Sequence, residues 1–177
     1  MLRLSLTVSL LFATVAANCG FPNGTDTNIN WWQGPSTGNI KITNLVSTLF
    51  CGNVQYPIDM RAPFYFNIHL NNAQRSLSSP TLRMTFRLFE YGGWSDCSWM
   101  EVPTFGLMEN MDACDDKIPC PLNMGEQNIS TKIDLSKFDL IVDALKDNGA
   151  YQLEIEVTDK TSGTNVILNT QFRAKTK

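Results

Sequence analysis

A chain of 177 residues is long enough for one ordinary domain with a real hydrophobic core. Its 14 lysines and arginines against 17 aspartates and glutamates include no basic cluster, which argues against nucleic acid as a partner. The single histidine, and five cysteines with no C-x-x-C pair, deny a zinc site its usual ligands, so no metal or other cofactor is expected.

Arg3 heads an almost unbroken apolar run over residues 4–15, and Val15 and Ala17 place small residues at the −3 and −1 positions of a cleavage site. The run is too short to cross a bilayer and has the layout of a secretory signal peptide. The expected organisation is a signal peptide over 1–17 and one domain over 18–177. Export makes disulfides the natural state of Cys19, Cys51, Cys97, Cys114 and Cys120. Cys114 and Cys120 are the clearest pair, and closing so short a loop contributes about 2–3 kcal/mol. The odd count leaves one thiol over, or pairs it with another chain. Asn23-Gly24-Thr25 and Asn128-Ile129-Ser130 are sequons, which makes Asn23 and Asn128 candidate glycosylation sites.

The dominant hydrophobic period is two. Ile40 and Ile42, before Leu45, suggest a first strand. Phe64, Phe66, Ile68 and Leu70 alternate with Tyr65, Asn67 and His69. Leu82, Met84, Phe86 and Leu88 alternate with Arg83, Thr85 and Arg87. Ile129, Ile133 and Leu135 share a face opposite Ser130, Lys132 and Asp134. Tyr151, Leu153, Ile155 and Val157 alternate with Gln152, Glu154 and Glu156, and residues 166–174 form a less regular last strand. These patterns predict half-buried strands with one wet face. Turn signals at 71–80, 147–149 and 159–164 separate them, as in an antiparallel sandwich or barrel. Phe138, Ile141, Val142 and Leu145 recur at helical spacing after a candidate Ser136 cap, which predicts a short helix or turn within 136–146.

Residues 91–113 break the alternation. Trp94, Trp99, Met100, Val102, Phe105, Leu107, Met108 and Met111 are interleaved with glycines and Pro103. Such a segment either folds back to cap the core or forms a cavity mouth or membrane-touching loop. No catalytic constellation is evident: His69 belongs to the polar face of its strand. Asp112, Asp115, Asp116 and Glu109 match no calcium-loop spacing and read as solvated.

The order Asn18-Cys19-Gly20, then Cys51, then Cys114-x5-Cys120-Pro121, then two C-terminal strands resembles the ML family of lipid-recognition domains. Residues 114–121 are similar to its sterol carriers, and Pro57-Ile58-Asp59, residues 78–82 and Gly92-Gly93-Trp94 to its ganglioside activators. The resemblance implies an all-β, immunoglobulin-like antiparallel sandwich of two sheets with a lipid between them. It implies a secreted or lysosomal protein, not an enzyme, that transfers or presents a glycolipid or sterol after transient membrane contact. The cavity would be lined by Phe64, Phe66, Ile68, Met84, Phe86, Leu88, Ile133, Leu153, Ile155 and Phe172, although a closed dry core needs the same inward pattern. Trp94, Trp99, Met100, Phe105 and Met108 would meet the bilayer or gate the cavity. The alternative is a secreted protein–protein interaction module or co-receptor of the same fold. Family members tie the first cysteine to one in the last strand, but residues 168–172 here contain none. Cys19 is therefore expected to pair with Cys51, leaving Cys97 as the odd thiol.

Overall fold

The structure is a computed structural model that describes residues 19–48, 56–92, 96–115 and 117–177. The expected signal peptide, Cys51 and Trp94 lie outside the described residues. Among these residues no helix is long and apolar enough to cross a membrane.

Each alternating segment forms a strand that buries its apolar face. The strands are β1 (Asn30–Gln33), β2 (Ile40–Thr48), β3 (Ile58–Asp59), β4 (Phe64–Asn72) and β5 (Leu82–Tyr91). They continue with β6 (Trp99–Glu101), β7 (Met111–Asp112), β8 (Gly125–Ile133), β9 (Gly149–Asp159) and β10 (Thr164–Lys175). One sheet has the order β1-β10-β9-β5-β6, with β3 on β10 and β7 on β5; the other is β2-β4-β8. Pairing is antiparallel except between β3 and β10. The two sheets make an immunoglobulin-like antiparallel β-sandwich.

The pleat turns the sequence pattern into a core. In β4, Phe64, Phe66, Ile68 and Leu70 are buried while Tyr65, Asn67 and His69 are half-buried on the other face. Register then sets which inward residues meet. Ile68 stands opposite Ile129, Phe86 opposite Ile155, and Ile155 opposite Leu168. Each fully buried Leu, Ile or Phe side chain contributes about 1.5–3 kcal/mol.

Residues 136–146 supply a 3-10 turn at Ser136–Phe138 and the helix α1 (Asp139–Ala144). Ser136 does not cap it: no cap side chain bonds at either start, and Ser136 Oγ donates to Asp134 Oδ1 at 2.6 Å instead. The strand β1 carries no readable alternation. It forms because the edge of β10 is open to it, with Trp31 opposite Thr170.

The disulfide expectation fails for Cys19. Cys19 is bonded to Cys97, with their Cα atoms 5.5 Å apart, so Cys97 is not the odd thiol. The segment before β1 crosses the outer face of the larger sheet, where Asn23 Nδ2 donates to Gln171 Oε1 at 2.8 Å. That path delivers Cys19 to the β5–β6 end. Gly92 makes the approach possible: its φ is +81°, and a Cβ there would stand 3.1 Å from the Cys19 Cβ. Cys114 and Cys120 form the second disulfide.

Candidate functional site: an apolar cavity between the sheets

A cavity of about 50 Å³ lies between the two sheets at one end of the sandwich. The smaller sheet contributes Ile40, Ile42, Ile68, Leu70, Ile129 and Thr131. Facing them are Leu82 and Met84 of β5, Ile155, Val157 and Asp159 of β9, and Thr164, Val166 and Leu168 of β10. Leu77, Ile118 and Leu122 close it from the loops. Fourteen of these seventeen side chains are apolar.

The expected cavity residues divide between the two halves of the interior. Ile68, Met84 and Ile155 line the cavity. Phe64, Phe66, Leu88, Ile133, Leu153 and Phe172 are buried but lie outside its lining. There the aromatic rings pack edge to face, Phe64 against Phe66 at 5.5 Å and against Phe172 at 6.2 Å. Phe86 is also buried, and borders a separate depression with Met111, Lys117, Lys132 and Phe138. Large rings interdigitate and fill one half, whereas branched aliphatic side chains leave space in the other.

Of the expected loop residues, Trp99, Met100, Phe105 and Met108 are among the described residues, and none of these four lines the cavity. Residues 102–110 run along the free edge of β5: Val102 N–H donates to Leu88 C=O, and Phe86 N–H to Met108 C=O. Met108 is buried, and Trp99 packs on Tyr91 with ring centroids 5.0 Å apart. Met100 is 43% exposed and Phe105, beside Gly106 at the tip, is 86% exposed.

The cavity end is instead closed by residues that sequence reading missed. Leu77 and Leu122 bond backbone to backbone, Leu77 N–H to Leu122 C=O at 3.0 Å and the reverse at 2.8 Å. Buried Asn72 holds both loops, its Nδ2 donating to Arg75 C=O and to Asn123 C=O, each at 3.0 Å. The available signal was a lone apolar residue inside a polar turn, as at Leu77 between Ser76 and Ser78.

Polar groups at this end are satisfied. The Asp159 side chain is 1% exposed, and its Oδ2 accepts from Arg75 Nη2 at 3.0 Å, Ser162 N–H at 2.9 Å and Ser162 Oγ at 2.6 Å. Burial pushes this carboxyl up, but hydrogen bonds from Ser162, Thr81 and Arg75 outweigh burial and hold it well below the usual carboxylate range. A depressed folded-state pKa contributes stability that is fully present above the unfolded carboxylate value, about 3.9, and is lost as pH falls through the folded value. Urea unfolding should therefore find Asp159→Asn less stable than the parent equally at pH 7 and pH 5, with the gap narrowing only below about pH 4. A gap that closed already between pH 7 and pH 5 would contradict this assignment. Thr164 Oγ1 donates to Gln74 Oε1 at 2.7 Å. The Thr131 hydroxyl, by contrast, is buried with no hydrogen-bond partner.

Elsewhere, His69 lies on the outer face with Thr43 Oγ1 2.6 Å from its Nδ1. Asp112 accepts from Ser79 Oγ at 2.7 Å and from Cys114 N–H at 2.9 Å. Among the described residues no group of three or more His, Cys, Asp or Glu is arranged to hold a metal ion. Asn23 and Asn128 are both exposed.

No family model matches the chain, and no curated protein matches it. Among solved structures, the chain is similar to a Niemann-Pick type C2 protein from Japanese carpenter ant, with 10% sequence identity and a TM-score of 0.47 over 82% of this chain and 99% of that one.

Proposed function

We propose that the protein is an exported lipid carrier that takes an apolar chain between its two sheets and transfers or presents it. The observation that carries this reading is the intersheet cavity, lined almost wholly by aliphatic side chains. Each methylene moved from water into it contributes about 0.8 kcal/mol. Drug-sized ligands occupy sites of about 300–1,000 Å³, so the sheets must part at the aliphatic end as a chain enters. The two disulfides fit an oxidising compartment, secreted or lysosomal, where exposed Asn23 and Asn128 would carry glycans. The resemblance of the cysteine order to ML lipid-recognition domains points the same way. Exposed Phe105 and Leu107, with Gly106 between them, suit transient contact with a bilayer.

The test is native mass spectrometry of protein made in a secretory pathway, followed by uptake from phospholipid vesicles containing sterol or glycolipid. The expected result is a lipid adduct, with Phe105→Asp slowing uptake about tenfold at unchanged capacity, because one aromatic anchor is worth about 1.5–3 kcal/mol at a membrane surface. Protein that carries no lipid and takes none from any vesicle would overturn the reading.

A further inference from the structure

The cavity holds one polar group without a use. Thr131 is 1% exposed, its Oγ1 bonds to nothing, and it lines the cavity. It sits near the C-terminal end of β8, in the inward register of Ile129 and Ile133 and directly opposite Phe66. The other polar lining groups, Asp159 and Thr164, are satisfied by Arg75, Ser162 and Gln74 at the loop end. Thr131, paired with Phe66, lies at the floor of the cavity beside the ring-packed half, whereas Asp159 and Thr164 are satisfied at the loop end.

A buried hydroxyl without a partner is costly, and valine would keep the shape and suit the strand without that cost. Water is a poor occupant, because a buried water needs two to four polar partners and the floor offers one. An ionised group is excluded by the same economy: an unpaired charge in an apolar site is far more costly than a neutral group, and Arg75 is committed to Asp159. A carbonyl or hydroxyl needs only the single hydrogen bond that Thr131 can make.

We propose that Thr131 is a specificity-determining residue that hydrogen-bonds an uncharged carbonyl or hydroxyl at the leading, buried end of an otherwise apolar ligand. The proposal rests on the lipid-carrier reading and goes beyond it by assigning the ligand a polar group at its inner end.

The experiment compares the full mature chain with Thr131→Val and Thr131→Ser, using 2-tridecanone and tridecane as probes and native mass spectrometry or displacement of an apolar fluorophore as readout. Each probe is compared with itself across variants, so differences in water solubility cancel. Thr131→Val should weaken 2-tridecanone about fivefold and leave tridecane unchanged, while Thr131→Ser keeps the ketone affinity. The serine variant guards against a folding defect, since it removes the methyl group and retains the hydroxyl. If the parent takes both probes and Thr131→Val changes neither, or both alike, this inference falls and the carrier reading stands. If the parent takes neither probe, this inference falls, and the vesicle experiment decides the carrier reading separately.

Discussion

Replacing Cys19 and Cys97 by serine should lower the unfolding free energy by about 4 kcal/mol, and replacing Cys114 and Cys120 by about 2 kcal/mol. The difference comes from loop length. The first bridge joins residues 78 apart in sequence and the second joins residues 6 apart. A cross-link removes freedom from the unfolded chain, and a long loop has more to remove. The long bridge also ties down the segment that crosses the larger sheet, where Phe21 lies under the Arg173 guanidinium at 5.1 Å. Urea unfolding of the two double variants, each retaining Cys51, measures both losses. A loss at Cys19–Cys97 smaller than that at Cys114–Cys120 would mean that the bridged segment is frayed in the native state.

The second large effect separates stability from binding. Phe172→Ala should cost about 3–5 kcal/mol, since it empties a fully buried site in the ring-packed half. Lipid uptake by the surviving folded fraction should persist, because Phe172 lies outside the cavity lining. Val166→Phe should do the reverse. Its added ring atoms enter the aliphatic cavity, so uptake is blocked, while overpacking costs at most about 1–3 kcal/mol. Unfolding curves and vesicle uptake on the same preparations decide the matter. Normal uptake by Val166→Phe would show that the ligand seat lies elsewhere.

Much of the sandwich was readable from local pattern. Residues 64–70, 82–88 and 151–157 each alternate, and each lies within a somewhat longer strand. The last strand read less cleanly for a physical reason. β10 is flanked by β1 and β9, and Asn23 reaches over its outer face, so Asn169 and Gln171 are buried although polar. Alternation fades where both faces are covered. The short strands β1, β3, β6 and β7 exist because a neighbouring edge accepts them, which no window of their own residues records.

The site was less legible. Phe64, Phe66 and Phe172 carry the same inward parity as Ile68, Met84 and Ile155, so sequence cannot say which trio fills space and which leaves it. That depends on which side chains meet at one level of the sandwich, set by the register of strands far apart in the chain. The partner of Cys19 was hidden for a related reason. Spacing identifies a short pair such as Cys114 and Cys120, but Cys19 reaches Cys97 only through the path of its segment across a finished sheet.

The sequence by itself determined the period-two faces and the short disulfide loop, because these follow from nearest neighbours along the chain. Only the tertiary structure decided where the cavity lies, which loops close it, and that Thr131 is left without a partner inside it. Those depend on packing between residues that sequence distance does not relate, and on whether their combined volumes fill the space between two sheets.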